Sequence, residues 1–159
     1  MEWRLARAVW EEGRGEGNRQ AMQGFIESGQ VPGILAYAEG EAVAWCSISP
    51  RAQHVGLQAL GSYRRFDNPE VWTVTCFYIH DGFRGQRLMP ALLEAAVEYA
   101  TEQGAQMVEG YPVDEQSEQV GTGPGLYLGT ASVFQKAGFV EAARGAYNRP
   151  VMRYYVARS

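Results

Sequence analysis

The chain has 159 residues, of which 46% are hydrophobic and 20% are charged, and this composition fits one globular domain spanning residues 1–159. Its formal net charge of −4 argues against nucleic acid as a partner, because phosphate binding usually leaves a basic stripe on the protein. Cys46 and Cys76 are isolated, and no apolar signal or spanning segment precedes the first charged residues. We therefore expect no metal, no membrane partner and a reducing cytoplasm as the setting.

The first periodic segment, Gly17–Ser28, predicts a short helix that lies on a sheet. Asn18 is a candidate cap and Gly29 a stop signal. The expected apolar stripe consists of Ala21, Met22, Phe25 and Ile26.

Three strands follow in the predicted order. The runs Ile34–Ala38 and Ala42–Ile48 flank Glu39-Gly40-Glu41, which indicates a hairpin that Pro50 ends. The stretch 51–69 has no clean period, so only irregular structure or a short helical turn is expected there. Val71–Ile79 is rich in β-branched and aromatic residues without alternation, as is typical of a central strand covered on both faces.

The strongest helical period begins at Leu88, tolerates Pro90 in its first turn and ends before Gly104. Because the strand-like run 106–113 follows, this helix is expected to cross over to a neighbouring strand. The chain then predicts a loop at 114–125, a helix at 130–137 stopped by Gly138, and closing strands at 139–143 and 151–156.

The turn from His80 to Arg87 joins the central strand to this helix. Such a turn directs free amides and the positive end of a helix at one point, so an anion site is expected there. Taken alone, the signal is weak, since many turns of this kind bind nothing.

Two motifs make the anion site more specific. The segment Phe83-Arg84-Gly85-Gln86-Arg87-Leu88-Met89 resembles the coenzyme motif of the GNAT acetyltransferases, and Lys136-Ala137-Gly138-Phe139 resembles their second signature. The resemblance covers about residues 34–155, with the coenzyme motif in 77–93 and the second signature in 130–143. It implies an α/β fold with a mixed, splayed sheet flanked by helices, and acetyl-CoA as the co-substrate.

The resemblance also implies which residues contact the coenzyme. Phe77, Tyr78 and Ile79 would lie along the pantetheine arm, the stretch from Arg84 to Pro90 would hold the pyrophosphate, and Asp114 takes a place where the family often has an asparagine that touches the coenzyme. The pyrophosphate set consists of Arg84, Gly85, Gln86, Arg87, Leu88, Met89 and Pro90. Arg87 and Met89 occupy the small positions of the motif, and Arg87 can instead add a charge-assisted contact to a phosphate.

Acyl transfer to an amine needs a base and an acid. Glu109 is the first candidate for the base, because some family members carry a glutamate at the matching position. The alternative is a salt bridge to an arginine or an edge position facing water, and His80 is a further candidate for the base. The helix before Gly138 carries Phe134 where many members have the tyrosine that protonates the thiolate. Tyr111 and Tyr127 are therefore the candidate acids, with core packing as the alternative for each.

These observations predict an N-acyltransferase that moves an acetyl group from acetyl-CoA to a primary amine by direct attack on the thioester. The acceptor would be a small-molecule or peptide amine, and the protein a monomer or a homodimer. The alternative is a non-catalytic acyl-CoA-binding or sensing domain of the same fold, suggested by Arg87, Met89 and Phe134.

Overall fold

The computed structural model describes residues 2–59, 71–116, 126–145 and 148–157. Within these ranges six strands form one sheet in the order β1-β2-β3-β4-β6-β5. The strands are β1 Ile34–Ala38, β2 Glu41–Pro50, β3 Val71–Ile79, β4 Met107–Gly110, β5 Val140–Arg144 and β6 Pro150–Tyr155. The helices are α1 Arg7–Glu12, α2 Glu16–Glu27, α3 Val55–Ala59, α4 Leu88–Glu102 and α5 Ala131–Lys136.

The sheet is mixed, as predicted. The strands β3 and β4, joined by α4, pair in parallel, whereas all the other neighbouring strands pair antiparallel. The predicted hairpin is confirmed as β1 and β2, and the central strand has the predicted bounds. The predicted strand 106–113 is shorter than expected, because the β4 ladder ends at Gly110 and only an isolated bridge joins Val113 to Thr130.

One face of the sheet carries the apolar core. Side chains of β2, β3 and β4 pack there against α4 and α5, with Phe134 fully buried between Phe77 and Phe139. A Cβ atom at Gly110 would lie 2.2 Å from the Phe134 ring, so this position has room only for glycine. The core thereby fixes α4 and α5 on the same side of the sheet.

Buried polar side chains occupy β2, β3 and β4 at positions that alternate with the apolar core, together with polar residues of the N-terminal segment and of residues 51–54. They include Ser47, Ser49, Thr73, Thr75 and Glu109 from the strands, and Arg4, Arg51 and His54 from the other segments. Arg4 donates from Nη2 to the Ser47 hydroxyl at 3.3 Å, and Thr75 donates to the same hydroxyl at 3.0 Å. Thr75 also lies 3.2 Å from His54 Nε2. These residues are here called the polar layer. Buried ionic groups at this density are unusual in a core and are more frequent at functional sites.

The N-terminal region departs from the expectations. The helix predicted at 17–28 is present as α2, but Gly15 is its N-cap and Asn18 lies inside it, donating to the Trp10 carbonyl at 3.0 Å. None of its residues is fully buried: of the expected apolar stripe, Ala21, Met22 and Phe25 are half-buried and Ile26 is exposed. Within residues 2–33 the structure has helices and turns, and no strand.

Candidate active site

The strands β3 and β4 separate at one end of the sheet. Their pairing runs from Val71 with Met107 to Val74 with Gly110, whereas β3 continues to Ile79. Beyond Val74, β3 therefore keeps only β2 as a ladder partner in the described ranges. Its backbone on the β4 side is left open to a ligand, since extended backbone needs hydrogen-bond partners.

The chain reaches α4 through a tight turn at this open end. Gly85 has a φ of 79° and Arg87, the N-cap of α4, has a φ of 59°, a left-handed value that is uncommon outside glycine. Within the described ranges no hydrogen-bond acceptor is found for the backbone amides of Gly85, Gln86, Arg87, Leu88 and Met89. These donors at the positive end of a 15-residue helix form a site suited to a phosphate.

A cleft of about 670 Å³, here called the helix cleft, runs between this turn and the open end of β3. Its lining consists of Phe77, Tyr78, Ile79, Arg84, Gly85, Arg87, Leu88, Met89, Pro90 and Tyr127. Every predicted coenzyme residue except Gln86 and Asp114 lies there. Gln86 donates to the Gly82 carbonyl at 3.3 Å, and Asp114 pairs with Arg144 at 2.7 Å. That hydrogen bond from Arg144 lowers the pKa of Asp114, so the carboxylate serves an ion pair away from the cleft.

A second cavity of about 440 Å³, here called the N-terminal cavity, adjoins the helix cleft at Tyr127, which lines both. Its other lining residues are Glu2, Trp3, Arg4, Trp10, Ser47, Thr75 and Cys76. Its size falls in the usual range for small-molecule sites. Sequence reasoning missed this cavity, because its charged and aromatic residues come from a segment with no motif.

Tyr127 stands between the two cavities. Its side chain is half-buried, and its hydroxyl donates to the Glu2 carboxylate at 3.3 Å. Burial, followed by the charge of Glu2, raises the pKa of Tyr127 to about 12. The phenol therefore keeps its proton at neutral pH, as a general acid must.

Glu109 lies elsewhere, in the polar layer, and Tyr111 packs against Leu57 and Val151. The Glu109 carboxylate is fully buried, accepts from Arg153 Nε at 2.8 Å and from the Tyr111 hydroxyl, and lies 3.8 Å from Arg51 Nε. The salt bridge considered from the sequence is thus present. Neither Glu109 nor Tyr111 lines the helix cleft or the N-terminal cavity.

The remaining candidate for the base, His80, has a structural partner. His80 is exposed, and its Nδ1 accepts from the Gly82 amide at 3.3 Å, so it stabilises the turn. Phe134 is buried in the core and has no proton to give. In the part of the chain that the structure describes, no group of three or more histidine, cysteine or acidic residues could hold a metal ion, and no helix is long and apolar enough to cross a membrane.

Comparison with known proteins agrees with this geometry. The model of the acetyltransferase (GNAT) family matches residues 2–119. The chain belongs to the GNAT acetyltransferase family. A search of curated proteins finds no significant match.

Solved structures share the GNAT fold at low sequence identity. The ribosomal-protein-alanine N-acetyltransferase of Brucella melitensis is 16% identical, with a TM-score of 0.57 over 98% of this chain and 88% of that one. The yncA protein of Salmonella typhimurium, solved with acetyl-CoA, is 14% identical, with a TM-score of 0.57 over 89% of this chain and 74% of that one. These similarities establish the fold.

GNAT enzymes use acetyl-CoA, and the helix cleft fits this coenzyme in two respects. The open amides at 85–89 are donors of the kind that a pyrophosphate accepts from. The unpaired backbone at the end of β3 is of the kind that hydrogen-bonds the amide groups of a pantetheine arm. Gly129 also borders this region with a φ of 79°, and a Cβ atom there would lie 3.2 Å from Phe77 and 3.5 Å from Met89. Glycine at this position thus keeps room between the 3₁₀ turn that carries Tyr127 and the residues of the cleft.

Proposed function

We propose that this GNAT protein transfers an acetyl group from acetyl-CoA to a primary amine by direct attack of the amine on the thioester. The observation that carries the proposal is the position of Tyr127 between the helix cleft and the N-terminal cavity. Coenzyme in the first and amine in the second would meet at this side chain.

The reaction forms one N–C bond and breaks the C–S bond of the thioester. The amine loses a proton, and the departing thiolate gains one. Tyr127 would supply the proton to sulfur, because its phenol stays protonated at neutral pH and borders the cleft. A backbone amide at the open end of β3 would polarise the thioester carbonyl.

The sequence analysis names Glu109 as the base that takes the amine proton, and this role stays a prediction. A second carboxylate, Glu2, has a direct geometric argument in its favour, since it lines the N-terminal cavity and hydrogen-bonds Tyr127. The two candidates differ in access: Glu2 borders open space, whereas Glu109 is enclosed by arginines and a tyrosine.

Calorimetry with acetyl-CoA and an assay of thiol release with a panel of primary amines together test the proposal. We expect binding, and release of free CoA that depends on the amine. At a coenzyme concentration about a hundred times the dissociation constant, linkage predicts roughly 2.7 kcal/mol of added stability. Binding without transfer to any amine would support the non-catalytic acyl-CoA-binding alternative, and absence of both heat and thermal shift at millimolar coenzyme would refute the coenzyme site.

A further inference from the structure

The N-terminal cavity contains a buried arginine that has no counter-charge among the described residues. Arg4 is 3% exposed, and its Nη2 donates to the Pro32 carbonyl at 2.7 Å and to the Ser47 hydroxyl at 3.3 Å. No carboxylate in the described residues lies within ion-pair distance of it. Burying an unpaired cation is unfavourable, so a protein seldom keeps one without a partner or a ligand.

The surroundings of Arg4 do not provide the missing anion. His54 lies in the same polar layer and is neutral, because burial and the charge of Arg4 lower its pKa to about 3. The nearest hydrogen-bond partners of Arg4 are a carbonyl and a hydroxyl. An anionic group that enters the cavity would therefore gain a charge-assisted hydrogen bond that no protein group already occupies.

The same cavity also carries one carboxylate. Glu2 accepts a hydrogen bond from the Tyr127 hydroxyl and is not paired with Arg4. The cavity thus presents separate negative and positive groups, and Tyr127 places the negative one beside the helix cleft. Glu2 can hold an ammonium group beside the helix cleft, where the thioester would lie, and Arg4 can hold an anion.

Two half-buried tryptophans, Trp3 and Trp10, complete the wall. The Arg14 guanidinium lies over the Trp10 ring, 4.8 Å from its centroid, so the apolar surface offered to an acceptor comes from Trp3 and the rest of the Trp10 ring. Such a surface favours an acceptor whose body is aromatic or aliphatic. The volume of about 440 Å³ accommodates a molecule of amino-acid size.

We infer that the acceptor is a small zwitterion, a primary amine that also carries a carboxylate and an apolar body, of the kind represented by a free amino acid. Arg4 binds the carboxylate, Glu2 holds the ammonium group before its proton leaves, and the tryptophans contact the side chain. This inference rests on the proposed function, because it assigns the substrate class of the same transfer.

The test compares matched acceptors that differ only in the carboxylate: phenylalanine with phenethylamine, tryptophan with tryptamine, leucine with isoamylamine, and methionine with 3-(methylthio)propylamine. Phosphoethanolamine serves as an anionic amine without a carboxylate. Thiol release from acetyl-CoA gives kcat/KM for each. We expect at least one amino acid to exceed its amine partner by about tenfold to a hundredfold, the range of a hydrogen bond to a charged group.

The variant Arg4→Gln should remove this preference: kcat/KM for the amino acid should fall by about tenfold to a hundredfold through a higher KM, and therefore much further than kcat/KM for the matched amine. Arg4→Lys, which keeps the charge, should restore part of it. Arg7→Gln, an exposed arginine of the same segment that lies outside the cavity, is the matched control and should keep the preference. If Arg4→Gln fails to fold, the preference of the unaltered protein and of Arg4→Lys still decides the matter.

Transfer to amines with no preference for the carboxylate, or to phosphoethanolamine alone, would overturn the zwitterion inference and leave acetyl transfer standing. Transfer to none of these acceptors by a protein that binds acetyl-CoA would also overturn it. Absence of coenzyme binding would instead refute the proposed function itself, so the two failures are distinguishable.

Discussion

Tyr127 and Glu2 are separated by 125 positions in the chain, yet the hydroxyl of one donates to the carboxylate of the other at 3.3 Å. This contact joins the N-terminal segment to the short 3₁₀ turn Leu126–Leu128 beside the helix cleft. It also places the protonated Tyr127 phenol and the Glu2 carboxylate at the boundary between the helix cleft and the N-terminal cavity. The first prediction therefore concerns this pair.

Replacing Tyr127 by phenylalanine should lower kcat by about a hundredfold, the lower end of the usual contribution of general acid catalysis. Binding of CoA should persist, because the ring that lines the cleft is kept. Steady-state assays of thiol release measure kcat, and calorimetry measures the binding of CoA. Tyr37→Phe, at an exposed tyrosine of β1, is the control. An unchanged kcat would assign Tyr127 to packing and leave protonation of the thiolate to water.

The second prediction concerns Arg87, whose left-handed φ of 59° is unfavourable for any residue with a side chain. If its guanidinium binds a phosphate, both Arg87→Ala and Arg87→Gly should weaken CoA by about tenfold or more and leave pantetheine unaffected. Glycine also relieves the backbone strain, so Arg87→Gly should be the more stable of the two variants. Titrations with CoA and with pantetheine measure the effect.

Arg19→Ala, an exposed arginine on α2, controls for the loss of one positive charge. Equal or tighter CoA binding by Arg87→Gly would show that the arginine only shapes the start of α4. The amides at 85–89 would then hold the phosphates alone.

The third prediction uses His54, which is fully buried and neutral in the fold. Burial, followed by the charge of Arg4, lowers its pKa to about 3 from an ordinary 6.5. The unfolded chain therefore binds the proton first as the pH falls, and the free energy of unfolding should fall by about 1.4 kcal/mol per pH unit between about 6 and 3. Above the ordinary value this contribution is fully present.

Urea unfolding at several pH values measures that slope. His54→Gln should lose the part of the slope that one proton contributes, whereas His80→Gln, at the other histidine of the chain, should keep the part that comes from His54. Slopes that are identical in the unaltered protein and in His54→Gln would show that other groups cause any acid instability.

The sequence predicted the elements that depend on local interactions and missed those that depend on contacts between distant parts of the chain. The bounds of β3 and the start of α4 were readable, because a run of β-branched residues and a helical period are local signals. Apart from Tyr127, the residues that line the helix cleft come from one strand, one turn and one helix, so a local motif could bring them together; their contacts with the coenzyme stay a prediction.

The N-terminal cavity was not predictable. Trp3 and Arg4 reach Thr75 and Tyr127 through tertiary packing alone, and no spacing in the sequence encodes a contact over such separations. The position of α2 shows a related limit: its apolar stripe is only half-buried, and a hydrophobic period does not say which partner covers it or how completely.

The last prediction concerns Glu109, for which catalysis and ion pairing lead to different results. The carboxylate receives hydrogen bonds from Arg153 and Tyr111 and lies 3.8 Å from Arg51. Glu109→Gln keeps the volume and removes the negative charge. Because Arg51 and Arg153 then lose this carboxylate partner in a buried setting, we expect the free energy of unfolding to fall by about 3 kcal/mol or more.

The effect on turnover separates the two roles. Glu109 lines neither cavity, so we expect the folded variant to bind CoA and to keep kcat within about tenfold of the unaltered protein, less than general base catalysis usually contributes. Glu2→Gln is the matched comparison, since it removes the carboxylate that does line a cavity. A stable Glu109→Gln protein whose kcat is about a hundredfold lower and recovers as the pH rises would instead identify Glu109 as the base, because more amine then arrives neutral. Urea unfolding, CoA calorimetry and pH profiles of kcat on the two variants decide which carboxylate accepts the proton.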